Sequence, residues 1–595
     1  MNHYNAPLRD MRFVLTELLD LQAHAALPGL EETGDELVEA ILAEAARFSA
    51  DVLAPLNRSG DRDGALWQAD GSVRAAAGFA DAYRQFAEAG WNGMAADPQY
   101  GGMGLAELVT TAAQEMWQSA NMAFALCPML TAGAVEALRQ HASEEQKALY
   151  LEKMISGRWS GAMDLTEPGA GSDLSVIRTR AVPQEDHYRL FGQKVFITWG
   201  EHDMAENIVH LVLARLPDAP AGVKGISLFL VPKFLVNPDG SPGARNDLRC
   251  SGIEHKLGIH ASPTCTMSYG DKDGAVGYLI GTAGRGLHYM FTMMNEARHK
   301  VGLQGLALAE RAYQQALGYA RERLQGRPPA APNGKPLPIV HHPDVRRMLM
   351  TMRSAAEAMR ALTYSTAAAM DRARREPDRD RRAAEQARVD LLIPIVKGWC
   401  TELGVECASI GVQIHGGMGY VEETGAAQYL RDARIAPIYE GTNGIQALDL
   451  VGRKLLRDGG RAMRGLLGQL RATAEAMAEL PELARAGEQL EQGIGQLGAA
   501  GDYLLEADPY DSQQAMANAH HYMMLAGYVL GAELLCQSAL IARQALENGS
   551  TDGFYGNKMA SAQFYVEQLL PRAGAHAHSV LSGADVVMAI AAEDL

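Results

Sequence analysis

The chain has 595 residues, 47% apolar and 21% charged, the balance of an ordinary soluble globular protein with room for roughly three to five domains. Its net charge of −17, from 54 Lys and Arg against 71 Asp and Glu, argues against nucleic acid or an anionic membrane as the main partner. A local basic site could still take an anionic ligand. The six cysteines (Cys127, Cys250, Cys265, Cys400, Cys407, Cys536) include no close pair at metal-ligand spacing, so free thiols in a reducing compartment and no metal are expected. Residues Met1 to Asp20 mix Arg9, Asp10, Arg12 and Glu17 with apolar residues, unlike a secretory signal. No apolar run reaches membrane-spanning length. The best candidate, Met523 to Ile541, is interrupted by Glu533, so a cytoplasmic protein with no integral membrane segment is expected.

In chain order, Val38, Ile41, Leu42 and Ala45 form the apolar stripe of a helix, which Pro55 should end before a polar Gly-Asp loop. Phe79 to Gly90, the turn-rich Asp97 to Gly104 and a long Ala/Met-rich helix through Leu126 follow. Ser143 reads as the cap of a further helix, with Gln146 three residues on. After Gly157 the texture becomes β-rich. Ala181-Val182, His187 to Phe191, Lys194 to Thr198, Ile208 to Ala214 and Ile226 to Val231 are short strand-like runs punctuated by Pro and Gly. Residues 158–285 read as a compact β domain, with glycines at 281, 284 and 286 marking its exit.

Helix returns from about Leu287 to Arg323, then breaks at the proline-rich stretch Arg327 to Pro336. Asp344 to Met370 and Glu385 to Ile410 read as helices, with the charged run Asp371 to Arg382 as a solvated turn between them. Beyond Leu456 the chain is rich in Ala, Gly, Leu and Gln, and Met463, Leu466, Leu467 and Leu470 repeat the helical stripe. The expected division is a lead segment 1–35, a helical domain 36–157, a β domain 158–285, a helical domain 286–459 and a helical extension 460–595. The fold class is mostly α with a central β domain.

Four stretches and two arginines could carry chemistry. In Ile438-Tyr-Glu-Gly-Thr-Asn-Gly444, an acidic side chain buried beside aliphatic and aromatic neighbours would have a raised pKa and could act as a base. Met163-Asp-Leu-Thr-Glu-Pro-Gly-Ala-Gly-Ser-Asp173 is a strand running into a Gly-rich loop, whose backbone N–H groups can hold phosphate or polar ligand edges. Lys194-Val-Phe-Ile-Thr-Trp199 offers an aromatic wall to a flat ligand. Gln413-Ile-His-Gly-Gly-Met-Gly-Tyr420 permits close approach at its glycines, and Arg298 and Arg323 are basic residues of helical stretches. Each has a plain structural reading when taken singly: a loop junction, a tight turn, a core strand, a satisfied structural His415, and salt-bridged arginines.

Together and in this order, Leu165-Thr-Glu-Pro-Gly-Ala-Gly-Ser-Asp173, Phe196-Ile-Thr198, Gln413 to Gly419 and Tyr439-Glu-Gly-Thr442 resemble the acyl-CoA dehydrogenase family, over about residues 36–455. Tyr4-Asn-Ala-Pro-Leu-Arg-Asp-Met11 and the extension are similar to the long subgroup that includes 3-methylmercaptopropionyl-CoA dehydrogenases. The resemblance implies a helical domain, a β-barrel-like domain and a helical bundle around FAD, plus the extra helical tail.

By position it implies Glu440 as the catalytic base. Met163, Leu165, Thr166, Phe196, Thr198 and Thr442 would lie against the flavin, and Ser172, Asn295 and Arg298 against the CoA substrate. Arg323, Gln413, Gly416 and Gly417 would serve the FAD of a neighbouring subunit, making the protein a homo-oligomer, with a dimer favoured. Asn295 and Gly444 depart from the family pattern, and Arg323 to Arg327 is shortened. The implied reaction removes the α-proton of an acyl-CoA through Glu440 while the β-hydride passes to the flavin, giving the trans-2-enoyl-CoA. The thioester oxygen would be held by the Glu440 N–H and a flavin hydroxyl. Electrons would pass to electron-transferring flavoprotein. An acyl-CoA oxidase or a non-catalytic acyl-CoA-binding protein remains the alternative.

Overall fold

The computed structural model describes residues 4–327, 334–506 and 512–595, so most of the Arg327–Pro336 loop lies outside the described residues. Its backbone contacts divide the chain into two units, Glu44–Ala106 with Met116–Lys300, and Met1–Ala43 with Glu107–Glu115 and Val301–Leu595.

The first unit is built on an eight-stranded sheet. Along it run Leu248–Ile253, Thr264–Tyr269, Tyr188–Thr198, Ala275–Ile280, Ile226–Pro232, Asn207–Arg215 and Trp159–Asp164. Arg180–Pro183 pairs with both Tyr188–Thr198 and Asn207–Arg215, closing part of the path into a ring. Asn207–Arg215 and Ile226–Pro232 are near-continuous apolar runs because both of their faces are buried. Leu190, Ile208, Val212, Phe229, Val231 and Met267 fill the centre. The two runs expected around Gly192 are one strand, because the ladder continues through Gly192↔Tyr269. A Cβ at Gly192 would lie 2.5 Å from Thr179 Oγ1, so the close approach of the neighbouring chain requires glycine. The helix Glu144–Ile155 starts as expected, with Ser143 and Gln146 exchanging both bonds of a capping box. Pro55 corrects its expectation: it opens the helix Ala54–Asp63, where its missing N–H costs nothing.

The second unit is helical. Gly286–Glu322, Pro343–Arg375 and Arg379–His415 are its long helices, the first of them entering it at Val301. Backbones meet closely: a Cβ at Gly305 would lie 2.2 Å from Cys400 O, and one at Gly404 2.7 Å from Gly305 Cα. The Asp371–Arg382 run is corrected. Helix extends to Arg375 and resumes at Arg379. Asp371 is buried, 3.0 Å from His24 Nε2, and accepts from the N–H groups of Glu107 (2.9 Å) and Leu108 (3.0 Å), capping an orphan helix end.

Lead and tail are part of this unit. Arg360, fully enclosed, bonds Asp10 (2.5 Å), Glu115 (2.6 Å) and Glu310 (2.9 Å). Lys558 of the tail bonds Asp10 as well, and Glu357 at 3.1 Å. Phe13 packs on Phe554 with centroids 5.4 Å apart, and Arg9 lies 4.0 Å over the same ring. Deleting one partner of such a network strands a buried charge, at about 3–5 kcal/mol. The expectation about apolar runs is also corrected. By length and composition two helices could cross a membrane, Glu107–His141 and Ala515–Glu547, but 89% and 83% of their apolar windows are buried in the fold. Glu533 is tolerated in the latter because Thr473 (2.8 Å) and Gln537 donate to it while burial raises its pKa.

Candidate active site

In the first unit, Met163 lies in the parallel pairing of Trp159–Asp164 with Asn207–Arg215, opposite Leu211. Val195 N–H donates to Thr166 O (2.9 Å) and Lys194 Nζ to Leu165 O (2.8 Å), which brings Leu165 and Thr166 beside Phe196 and Thr198. Glu167 and Ala170 exchange backbone bonds across Pro168-Gly169, making the Gly-rich loop a tight turn. Cβ atoms at Gly169 and Gly171 would meet nothing within 4 Å.

The Glu167 carboxylate fixes this turn. It accepts from Arg178 N–H (2.6 Å), Thr179 N–H (3.0 Å), Thr179 Oγ1 (2.6 Å) and Lys194 Nζ (2.9 Å). Burial pushes its pKa up, but Lys194 and these bonds outweigh that and hold it below the ordinary carboxylate range. Phe196 has φ +61 and 62% exposure, an uncommon conformation for a bulky residue that turns its ring outward. Thr198 pairs with Thr264. Ser172 is exposed, as is Asn295, whose Oδ1 accepts from the buried Arg298 at 3.3 Å. An outward aromatic ring, half-buried Met163 and Thr166, and an open Gly turn form a donor set that fits a flat, phosphate-bearing cofactor.

In the second unit, Glu440 is half-buried, and Ile438, expected to help bury it, is 48% exposed. The enclosure expected of the carboxylate is corrected accordingly: Glu440 is half-buried, not enclosed. Glu440 stands at φ +56, ahead of Gly441 at +84. Five hydrogen bonds hold this loop. Asn443 N–H donates to Pro437 O (2.9 Å), and Gln446 Nε2 donates to Glu440 O (3.3 Å) and Gly441 O (3.2 Å). Tyr439 O–H donates to Gln304 Oε1, and Thr442 Oγ1 accepts from Ile445 N–H (3.3 Å), capping the helix Asn443–Leu448. Burial of the Tyr439 phenol, and after it the Glu440 charge, pushes the phenol pKa up.

Arg323, Gln413, Gly416 and Gly417 are exposed in the same unit. Tyr319 stacks on His415 at 4.5 Å, and Gln315 Nε2 donates to Thr424 O (2.8 Å), so the end of Gly286–Glu322 lies beside the Gly416–Tyr420 turn. Gly416 has φ +59, and Cβ atoms at Gly416 and Gly417 would meet no other atom within 4 Å. His415 is the satisfied structural histidine expected: Nδ1 lies 2.7 Å from Gly411 O, and burial lowers its pKa. Glu167, Lys194, Asn443 and Gln446 were inside the quoted stretches or next to them, yet nothing in residue order marked them as supports. Gln304 and Lys397 carried no local signal at all.

Segments 35–158, 162–271 and 284–456 match the N-terminal, middle and C-terminal domains of acyl-CoA dehydrogenase, and 466–591 matches the acetyl-CoA dehydrogenase C-terminal like domain. A 3-methylmercaptopropionyl-CoA dehydrogenase of Ruegeria pomeroyi is 47% identical, over 98% of this chain and 99% of its own length. The chain belongs to the acyl-CoA dehydrogenase family. The broad-specificity linear acyl-CoA dehydrogenase FadE5 of Mycobacterium tuberculosis is 35% identical over 96% of each chain. An acyl-CoA dehydrogenase of Bacillus anthracis solved with FAD has the same fold, with TM-score 0.74 at 22% identity over 94% of this chain and 90% of that one. The protein is therefore an enzyme, a flavoprotein oxidoreductase of that family with FAD as its cofactor and an acyl-CoA as its substrate. The helical, β and helical arrangement with an extra C-terminal domain bears out the expected fold class.

Proposed function

We propose that this enzyme dehydrogenates a short acyl-CoA, of the 3-methylmercaptopropionyl-CoA type, with Glu440 as its base. The observation that carries the assignment is the Glu440 backbone, left-handed at a non-glycine residue and pinned by Gln446 and Asn443. Such a conformation persists only where the surroundings enforce it. Met163, Leu165, Thr166, Phe196, Thr198 and Thr442 hold the flavin; Ser172, Asn295 and Arg298 hold the CoA portion. Bound FAD supplies the two-electron acceptor. Glu440 takes the α-proton, and its backbone N–H donates to the thioester oxygen, where negative charge develops. The matching domains also support electron-transferring flavoprotein as the electron acceptor, and six buried free cysteines support action in the cytoplasm.

Replacing Glu440 by Gln keeps shape and removes basicity. The variant should retain its yellow flavin, but its anaerobic bleaching by acyl-CoA should slow by about two to four orders of magnitude. Turnover within tenfold of the unmodified enzyme would assign the base elsewhere. Rates compared across acyl-CoA lengths, with 3-methylmercaptopropionyl-CoA among them, test the substrate, and an optimum on long chains would refute the short one.

The assembly proposed is a homodimer in which Arg323, Gln413, Gly416 and Gly417 reach the partner's FAD. Leu324 (55%), Met418 (50%) and Tyr420 (88%) are exposed apolar residues beside them, as expected of a surface that another copy covers. Light scattering should give twice the chain mass. A monomer with full flavin content would refute it.

A further inference from the structure

Lys397, in the middle of the helix Arg379–His415, has no exposed surface. Its ammonium donates to Asn443 Oδ1 at 2.9 Å. The same amide donates to Gly398 O (3.2 Å), Thr401 Oγ1 (3.0 Å) and Glu402 Oε1 (2.8 Å). One buried side chain from the loop is thus bonded by or to four residues of one helix. Asn443 also closes the loop through its own N–H to Pro437 O, with Glu440 inside the closure. Three residues further on, Gln446 holds the carbonyls of Glu440 and Gly441.

A lysine is a costly way to fill a core, because a desolvated ammonium must be fully bonded. Packing alone would be served by leucine or methionine at that position. What lysine adds is a charged donor at a fixed point, stronger than a neutral one. That donor fixes the orientation of the Asn443 amide, and so the start of the helix that follows the base. We propose that Lys397 and Asn443 are positioning residues that set the placement of the Glu440 carboxylate. The proposal rests on the reading of Glu440 as the base. Neither side chain touches the reacting atoms; both act through the loop from Pro437 to Asn443. A misplacement of the order of an ångström at a base costs about tenfold to a hundredfold in rate, without a comparable loss of binding.

The test uses the full-length holoenzyme with butanoyl-CoA and its α-deuterated form. Lys397→Met keeps length and loses the donor; Asn443→Ser loses the reach to the helix and adds little strain. Both should retain flavin and a KM within about threefold, while kcat per flavin falls about ten- to a hundredfold. The α-deuterium isotope effect should rise as proton removal comes to limit the rate. Unchanged kcat and isotope effect in both variants would overturn the proposal. Loss of flavin, or a lowered melting temperature with normal kcat per flavin, would show a purely structural role and overturn it equally. Glu440→Gln run alongside keeps the two readings apart. If that variant turns over normally the base assignment fails; if it is inactive while Lys397→Met is normal, only the positioning role fails.

Discussion

Glu167, in the turn after Trp159–Asp164, and Asn443, at the start of Asn443–Leu448, each tie a loop to a lysine with no exposed surface, Lys194 and Lys397 respectively. In the first case the partner is a carboxylate, so a full charge pair is buried and four donors converge on it. In the second it is a neutral amide that accepts from the lysine and donates to three further groups of the same helix. The carboxylate secures the turn proposed to lie beside the cofactor. The amide secures the loop that carries a second carboxylate, Glu440, the proposed base. The amide carries no charge of its own, though it donates to the Glu402 carboxylate. The two loops are thus tied to buried lysines through different side chains, one charged and one neutral.

The largest stability effect should come from the charged anchor. Glu167→Gln leaves Lys194 buried without its counter-charge and should cost about 3–5 kcal/mol at neutral pH, measured by denaturant unfolding. Its pH dependence follows from sign. The folded pKa of Glu167 lies below the unfolded value of about 4.3, so its contribution is complete above that value and is lost as pH falls through the folded one. The gap between wild type and Glu167→Gln should therefore narrow in acid; a gap that widens would show that Lys194 is not its main partner.

Smaller and opposite in sense is Phe196→Gly. The left-handed backbone at Phe196 should be relieved by glycine, so stability should hold or rise by up to about 1 kcal/mol. FAD retention should fall, because the outward ring is gone. Equal retention in dialysed samples would remove Phe196 from the flavin contacts and leave its conformation without a functional reason.

Residue order showed the elements that depend on neighbours in the chain. The capping box at Ser143 and Gln146, the β-rich texture after Gly157 and the long helices after residue 286 obey short-range rules, and they were legible for that reason. Ends and charges were less so. Asp371 sits in a charged run that reads as solvated, yet it is buried on His24 and caps the backbone at Glu107, contacts separated by hundreds of residues. Glu533 looks like an interruption until Thr473 is found beside it.

By itself the sequence determined the family, the order of helical and β regions and the stretch that bears Glu440, since motifs are contiguous and their chemistry is local. Only the tertiary structure decided that Glu440 and Phe196 adopt left-handed backbones, that Lys397 and Gln304 reach the loop that carries Glu440, and that Asp10 and Lys558 meet at Arg360 and Glu357. The physical reason is the same throughout. A buried polar group must find its partner wherever the fold brings one, and sequence separation carries no information about that distance.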